Sequence, residues 1–134
     1  MDDTNLRKIL KESKIVAVVG LSPDPERDSH EVAHYLQQAG YKIVPVNPKA
    51  EEILGEKAYP DLNSIPEKID VVDIFRRPEH VPPVVEEAIK VGAKTVWMQL
   101  GVVNKEAARR AHEAGLNVVM DRCMLREHKR LLVP

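Results

Sequence analysis

Gly20, Ser22, Arg27 and Ser29 crowd the stretch "GLSPDPERDS" that follows the chain's first apolar run. Cations recur after later runs, at Lys49 and at Arg76-Arg77. Residues of these types handle negative charge. A glycine lets the backbone approach a phosphate, a helix N-terminus offers amides and a dipole, hydroxyls donate, and guanidinium and ammonium groups neutralise. The loop holds one glycine where a dinucleotide fingerprint places three at fixed spacing, and Pro23 and Pro25 stiffen it instead. It suits a phosphate but not the close approach that the NAD pyrophosphate exploits. A structural turn before a capped helix is the competing reading of this loop taken alone.

The second run ends in "VNPK", with Lys49 where an NAD site carries an acid for the ribose hydroxyls. A cation there fits a ribose that bears a phosphate, as in NADP or coenzyme A; a solvated loop lysine is the plain alternative. The third run ends in Phe75-Arg76-Arg77, placing an aromatic ring beside two guanidinium groups. The fifth is followed by Asp121-Arg122-Cys123: the acid suits either polarising a ligand or bonding loop amides, and the thiol either a ligand arm or a buried packing role. His30 and His34 share a helix face without a third metal ligand, and no paired carboxylates or Ser-His-Asp set stands out.

These groups need elements that bring them to one place. Five β-branched, apolar runs read as strands: Lys14 to Gly20, Tyr41 to Val46, Asp70 to Phe75, Lys94 to Gln99 and Leu116 to Asp121. Most are apolar on both faces, as in a parallel sheet covered by helices on each side. Helical periodicity begins near Ser29, with Asp28 as N-cap and Glu31 completing a capping-box variant, near Glu79, and after Asn104. The joints "AGYKIV", "VGAKTV" and "AGLNVV" each end a helix on a C′ glycine (Gly40, Gly92, Gly115) before a strand. Pro48 to Lys68 breaks this rhythm and reads as a loop with a short edge strand and a turn or two of helix. The expected fold is α/β, a Rossmann-like three-layer domain with a mainly parallel sheet in the order 3-2-1-4-5. In such sheets ligands bind beyond the carboxyl ends of the strands, where every cationic loop above falls. Trp97 and Met98 lie within the fourth strand and are expected in the core.

At 134 residues the chain is expected to form one domain over residues 1–134, without metals or disulfides. Its 20 Lys+Arg against 21 Asp+Glu argue against nucleic acid and membrane as partners. No apolar run approaches the roughly 18 residues of a transmembrane helix, the N-terminus reads as a charged helix, and one cysteine suits a reducing compartment. A cytoplasmic protein is expected. The ending "LREHKRLLVP" suits either a docking arm or a last helix.

Taken together, G-x-S in the first loop, "VNP", "FRRP", "WMQLG" and "DRC" resemble the small stand-alone CoA-binding proteins. Those are similar to the CoA-binding domain of the succinyl-CoA synthetase alpha subunit. The resemblance covers nearly the whole chain and implies coenzyme A as ligand, free or acylated. It implies contacts from Gly20, Leu21, Ser22 and Pro23, from Lys49, and from Phe75, Arg76 and Arg77, to which the residue reading adds Arg27 and Ser29. The synthetase loop is richer in glycine, and its second domain with the phosphorylated histidine has no counterpart here. A binding module without evident catalytic residues is therefore expected. An NADP-dependent oxidoreductase or a CoA-dependent acyl transferase is the alternative, and a protein partner or homo-oligomer stays open.

Overall fold

The computed structural model describes residues 1–134. In chain order the elements are α1 (Asp3–Glu12), β1 (Ile15–Val19), α2 (Asp28–Gln38), β2 (Lys42–Val46), β3 (Glu52–Ile53), β4 (Glu56–Lys57), β5 (Val71–Ile74), a 3-10 turn (Pro78–His80), α3 (Val81–Lys90), β6 (Thr95–Met98), α4 (Lys105–Glu113), β7 (Asn117–Val119) and α5 (Met124–Leu132). The five apolar runs become β1, β2, β5, β6 and β7, all parallel. The Rossmann-like class is the one expected, with helices on both faces.

The sheet order is β2-β1-β5-β6-β7, which corrects one detail of the expected order. The third apolar run lies against β1, with Val16 opposite Val71 and Val19 opposite Ile74, rather than outside β2. The outer position is taken by the segment between them. There β3 and β4 form a hairpin through Leu54 and Gly55, both at positive φ (56° and 76°), the geometry of a tight hairpin turn. Tyr59 then bridges Val46 in parallel, its N–H donating to the Pro45 carbonyl at 2.9 Å. That bridge is the third strand in the order 3-2-1-4, reduced to one residue because Pro60 ends it.

Alternation along the strands divides the core. Ala17, Val19, Val72, Ile74, Val96 and Met98 face α3 and α4; Val16, Val18, Val71 and Trp97 face α1, α2 and α5. Helical spacing supplies the matching stripes: Val32, Ala33 and Leu36 on α2, Val81, Val85 and Ala88 on α3, Ala107 and Ala111 on α4. Trp97 is fully buried and donates its indole N–H to the Arg122 carbonyl at 2.8 Å. Asn104 caps α4 as expected, accepting from the Ala107 amide at 2.9 Å. Gly40, Gly92 and Gly115 take the positive φ that their helix ends require.

The C-terminal segment is a docked last helix. On α5, Arg130 makes two hydrogen bonds of 2.9 Å to Asp3, and His128 Nδ1 meets the Tyr35 hydroxyl at 2.7 Å. No helix is long and apolar enough to cross a membrane.

Candidate functional site

The first loop starts where three strands meet. The Gly20 N–H donates to the Val46 carbonyl at 3.1 Å, and the Phe75 N–H donates to the Val19 carbonyl at 2.9 Å. Gly20 has φ +87°, and a Cβ there would lie 2.2 Å from the Phe75 carbonyl oxygen. Its glycine is therefore demanded first by the protein's own backbone, a reason the sequence did not reveal. Leu21 is buried, and its carbonyl accepts from Asn47 Nδ2 at 3.0 Å, tying this loop to the end of β2. Pro23 is exposed on the loop.

Ser22 and Ser29 act first as acceptors. Buried Ser29 Oγ takes the Ser22 N–H at 3.0 Å, and Ser22 Oγ takes the Asp24 N–H at 3.0 Å. Each hydroxyl keeps its proton to donate. The expected capping box does not form: the N-cap shifts by one residue to Arg27, which makes no side-chain cap bond, and Asp28 lies in the first turn of α2. Asp24 accounts for the shift, because its carbonyl and carboxylate turn the chain at Arg27 and Glu26. The leading amides of α2 thus lack a capping side chain.

Two hollows adjoin at this edge. One, of about 520 Å3, is lined by Gly20, Ser22, Glu26, Arg27, Asp28, Ser29 and Phe75. The other, of about 570 Å3, runs between the N-termini of α2 and α5 and includes Val32, Arg76, Arg77, Gln99, Leu100 and Cys123. Asp28 and half-buried Phe75 belong to both. Seven of the ten expected ligand contacts therefore line these two adjoining hollows. Lys49 lines neither hollow; it is exposed, with its N–H on Asn47 Oδ1 at 2.8 Å. Arg27, Lys49, Arg76 and Arg77 make no ion pair, whereas Arg122 is engaged by Glu127 at 3.3 Å.

Sequence reasoning missed part of the second hollow. Leu125 and Arg126 line it from the first turn of α5, and Leu100 and Val102 from the loop after β6. Arg126 was legible as the residue one helical turn beyond Cys123. Asp121, of two readings, takes the structural one: its Oδ1 accepts the Gly101 N–H at 2.7 Å. Asp73 was missed altogether. It is fully buried in β5 with both carboxylate oxygens unbonded, and burial pushes its pKa well above the ordinary carboxylate range.

Comparison with known proteins settles the lineage. A family model described as a CoA binding domain matches residues 14–129. The chain belongs to the CoA-binding domain family. Within this family it is 46% identical over 123 residues to the uncharacterized protein YneT of Bacillus subtilis, covering 92% of this chain and 91% of that one. A hypothetical protein from Pyrococcus horikoshii OT3 superposes with a TM-score of 0.96 at 52% identity, over 98% of this chain and 93% of the other. The alpha subunit of an ADP-forming acetate–CoA ligase II from Pyrococcus furiosus is 30% identical over 81% of this chain, which spans 26% of that subunit. The CoA-binding domain thus occurs both in short chains like this one and as a portion of ligase chains.

Proposed function

We propose that the protein binds coenzyme A, free or acylated, across the C-terminal edge of its sheet and performs no chemistry on it through residues of its own. The observation that carries this reading is the groove itself. In a chain of the CoA-binding domain family, it joins an uncapped helix N-terminus to unpaired Arg27, Arg76 and Arg77. The diphosphate lies at Gly20, Ser22, Ser29 and the amides of α2, with Arg27 beside it and Leu21 and Pro23 shaping the loop. Lys49 meets the 3′-phosphate from the end of β2. Phe75, Arg76 and Arg77 form the opposite wall, with the Phe75 ring against the adenine or the pantetheine arm.

Thermal shift with CoA, dephospho-CoA, NADP and NAD tests the reading. CoA at about 100 times its Kd adds about 2.7 kcal/mol, several degrees for a domain of this size. A smaller response to dephospho-CoA supports the phosphate assignment. Stabilisation by NADP but not by CoA overturns it in favour of an oxidoreductase.

A further inference from the structure

A ligand placed by its phosphates at the start of α2 leaves most of the second hollow without an occupant. The lining of that hollow is layered. Its charged members, Asp28, Glu31, Arg76, Arg77 and Arg126, are all exposed. The side chains beneath them are neutral: Val32, Gln99 and Val102 are buried, and Phe75, Cys123 and Leu125 are half-buried. An inner wall of this kind suits an uncharged, largely apolar group.

One polar group interrupts that wall. Gln99 follows β6 on the face that Trp97 shares with α5, and it is only 4% exposed. Its N–H donates to the Ile74 carbonyl at 3.3 Å, its carbonyl accepts the Val102 N–H at 2.8 Å, and its Oε1 accepts the Met124 N–H at 2.9 Å. A backbone N–H can only donate, so the atom facing Met124 is the oxygen and the amide orientation is fixed. The group left over is Nε2, with two protons to donate and no partner in the protein. Unlike the Asp73 oxygens it is not sealed off, because Gln99 lines the second hollow. Its donors are therefore aimed at whatever enters there.

We infer that the second hollow seats the pantetheine arm of a CoA-type ligand and that Gln99 holds it by donating Nε2–H to an amide carbonyl of the arm, which rests on the CoA-binding reading above. The arm is uncharged and largely apolar, and its two amide carbonyls are the acceptors this wall calls for. The reach also fits. The sheet order puts β6 two strands from β1, so its end lies about 10 Å from the phosphate loop. Three amide-linked units at roughly 3.5 Å each cover that distance. The arm then crosses the end of β5 over the Phe75 ring, which assigns that ring to the arm rather than to the adenine. A dinucleotide would bring a second ribose into this hollow, and the apolar wall would leave its hydroxyls unpaired. Gln99 is thus a specificity-determining residue for the arm.

Calorimetry on the full chain tests this with CoA and with 3′-phospho-ADP, which keeps every phosphate and lacks the arm. Gln99→Glu retains an oxygen for the Met124 N–H and removes the donor. Above neutral pH it should weaken CoA about tenfold and leave 3′-phospho-ADP within about twofold. A second measurement needs no variant. In the nitrogen–proton NMR spectrum of the wild-type chain, the Gln99 side-chain amide should shift with CoA and stay in place with 3′-phospho-ADP; if Gln99→Glu does not fold, this result decides alone. Equal losses for the two ligands, or CoA binding that leaves the Gln99 amide unmoved, overturn the placement of the arm and leave the CoA-binding function intact. Absence of CoA binding overturns both.

Discussion

The two edges of the sheet hold similar residues and treat them in opposite ways. At the N-terminal edge several charges beside the strand starts are paired, though Lys8 and Glu12 are not. Asp70 accepts the Lys14 and Ile15 amides at 2.8 and 2.9 Å and meets Lys94 at 3.5 Å, and Lys42 meets Glu67 at 2.5 Å. A hollow of about 380 Å3 opens there too, but its Asp70 and Lys94 already have each other. At the C-terminal edge Arg27, Lys49, Arg76, Arg77 and Arg126 stand free of carboxylates. What sets the C-terminal edge apart is the gathering of unpaired guanidinium groups around one hollow, which Asp28 and Glu31 also line.

The comparison is broken most violently at Gly20. Gly20→Ala forces a Cβ to 2.2 Å from the Phe75 carbonyl at φ +87°, and the mutant should lose about 3 kcal/mol or more in denaturant unfolding. If the loss is under 1 kcal/mol, the packing argument for this glycine is wrong.

Next come two aspartates separated by a few residues. Burial raises the pKa of Asp73, so the folded chain holds a proton that the unfolded chain releases near pH 4. Stability from this group is whole below that pH and drains away as pH rises. Asp73→Asn should thus stabilise the protein at pH 7, on the order of a few kcal/mol, with no gain at pH 3. Asp70 has the opposite sign. Partial burial pushes it up, but the Ile15 and Lys14 amides and Lys94 outweigh that and hold it below the usual carboxylate range. Its contribution is present above the unfolded pKa and lost as pH falls through the folded one. Asp70→Ala should cost about 1–2 kcal/mol at pH 7 and little in acid. Urea titrations across pH check both slopes.

The smallest effects sharpen the contrast. Arg76→Ala should weaken CoA binding about fivefold, roughly 1 kcal/mol, without moving the melting temperature of the free protein. Lys49→Ala should erase the difference between CoA and dephospho-CoA. Lys42→Ala, at the other edge, should leave CoA affinity unchanged; calorimetry that finds equal losses for Lys42 and Arg76 removes the distinction between the edges.

Much of this was legible. Five β-branched runs and three C′ glycines sufficed for the class, because buried parallel strands and αL helix ends each leave a local signature. The cationic loops could be assigned to one edge for the same reason, since parallel strands all end on the same side. The order of the strands was not legible, because the edge position is held by one bridge at Tyr59 with no run of its own. Nor was Asp73. In "DVVDIF" its neighbours outweigh it, and nothing local says that the second acid is sealed while Asp70 before it is bonded. Ion pairing was equally hidden: Arg122 and Arg126 look alike in sequence, and only the turn of α5 gives Glu127 to the former.

The bridge at Tyr59 also bears on how the molecule meets other copies of itself. Parallel strands carry both polar groups of a residue on one side, so Pro45, whose carbonyl takes the Tyr59 amide, faces outward exactly where an incoming chain would seek a donor. That rim has no N–H at its middle, and Tyr59 has already claimed its acceptor. The opposite rim, β7, is three residues long. Both rims thus discourage cross-chain strand addition, one by a proline beside an acceptor already taken, the other by the shortness of its strand.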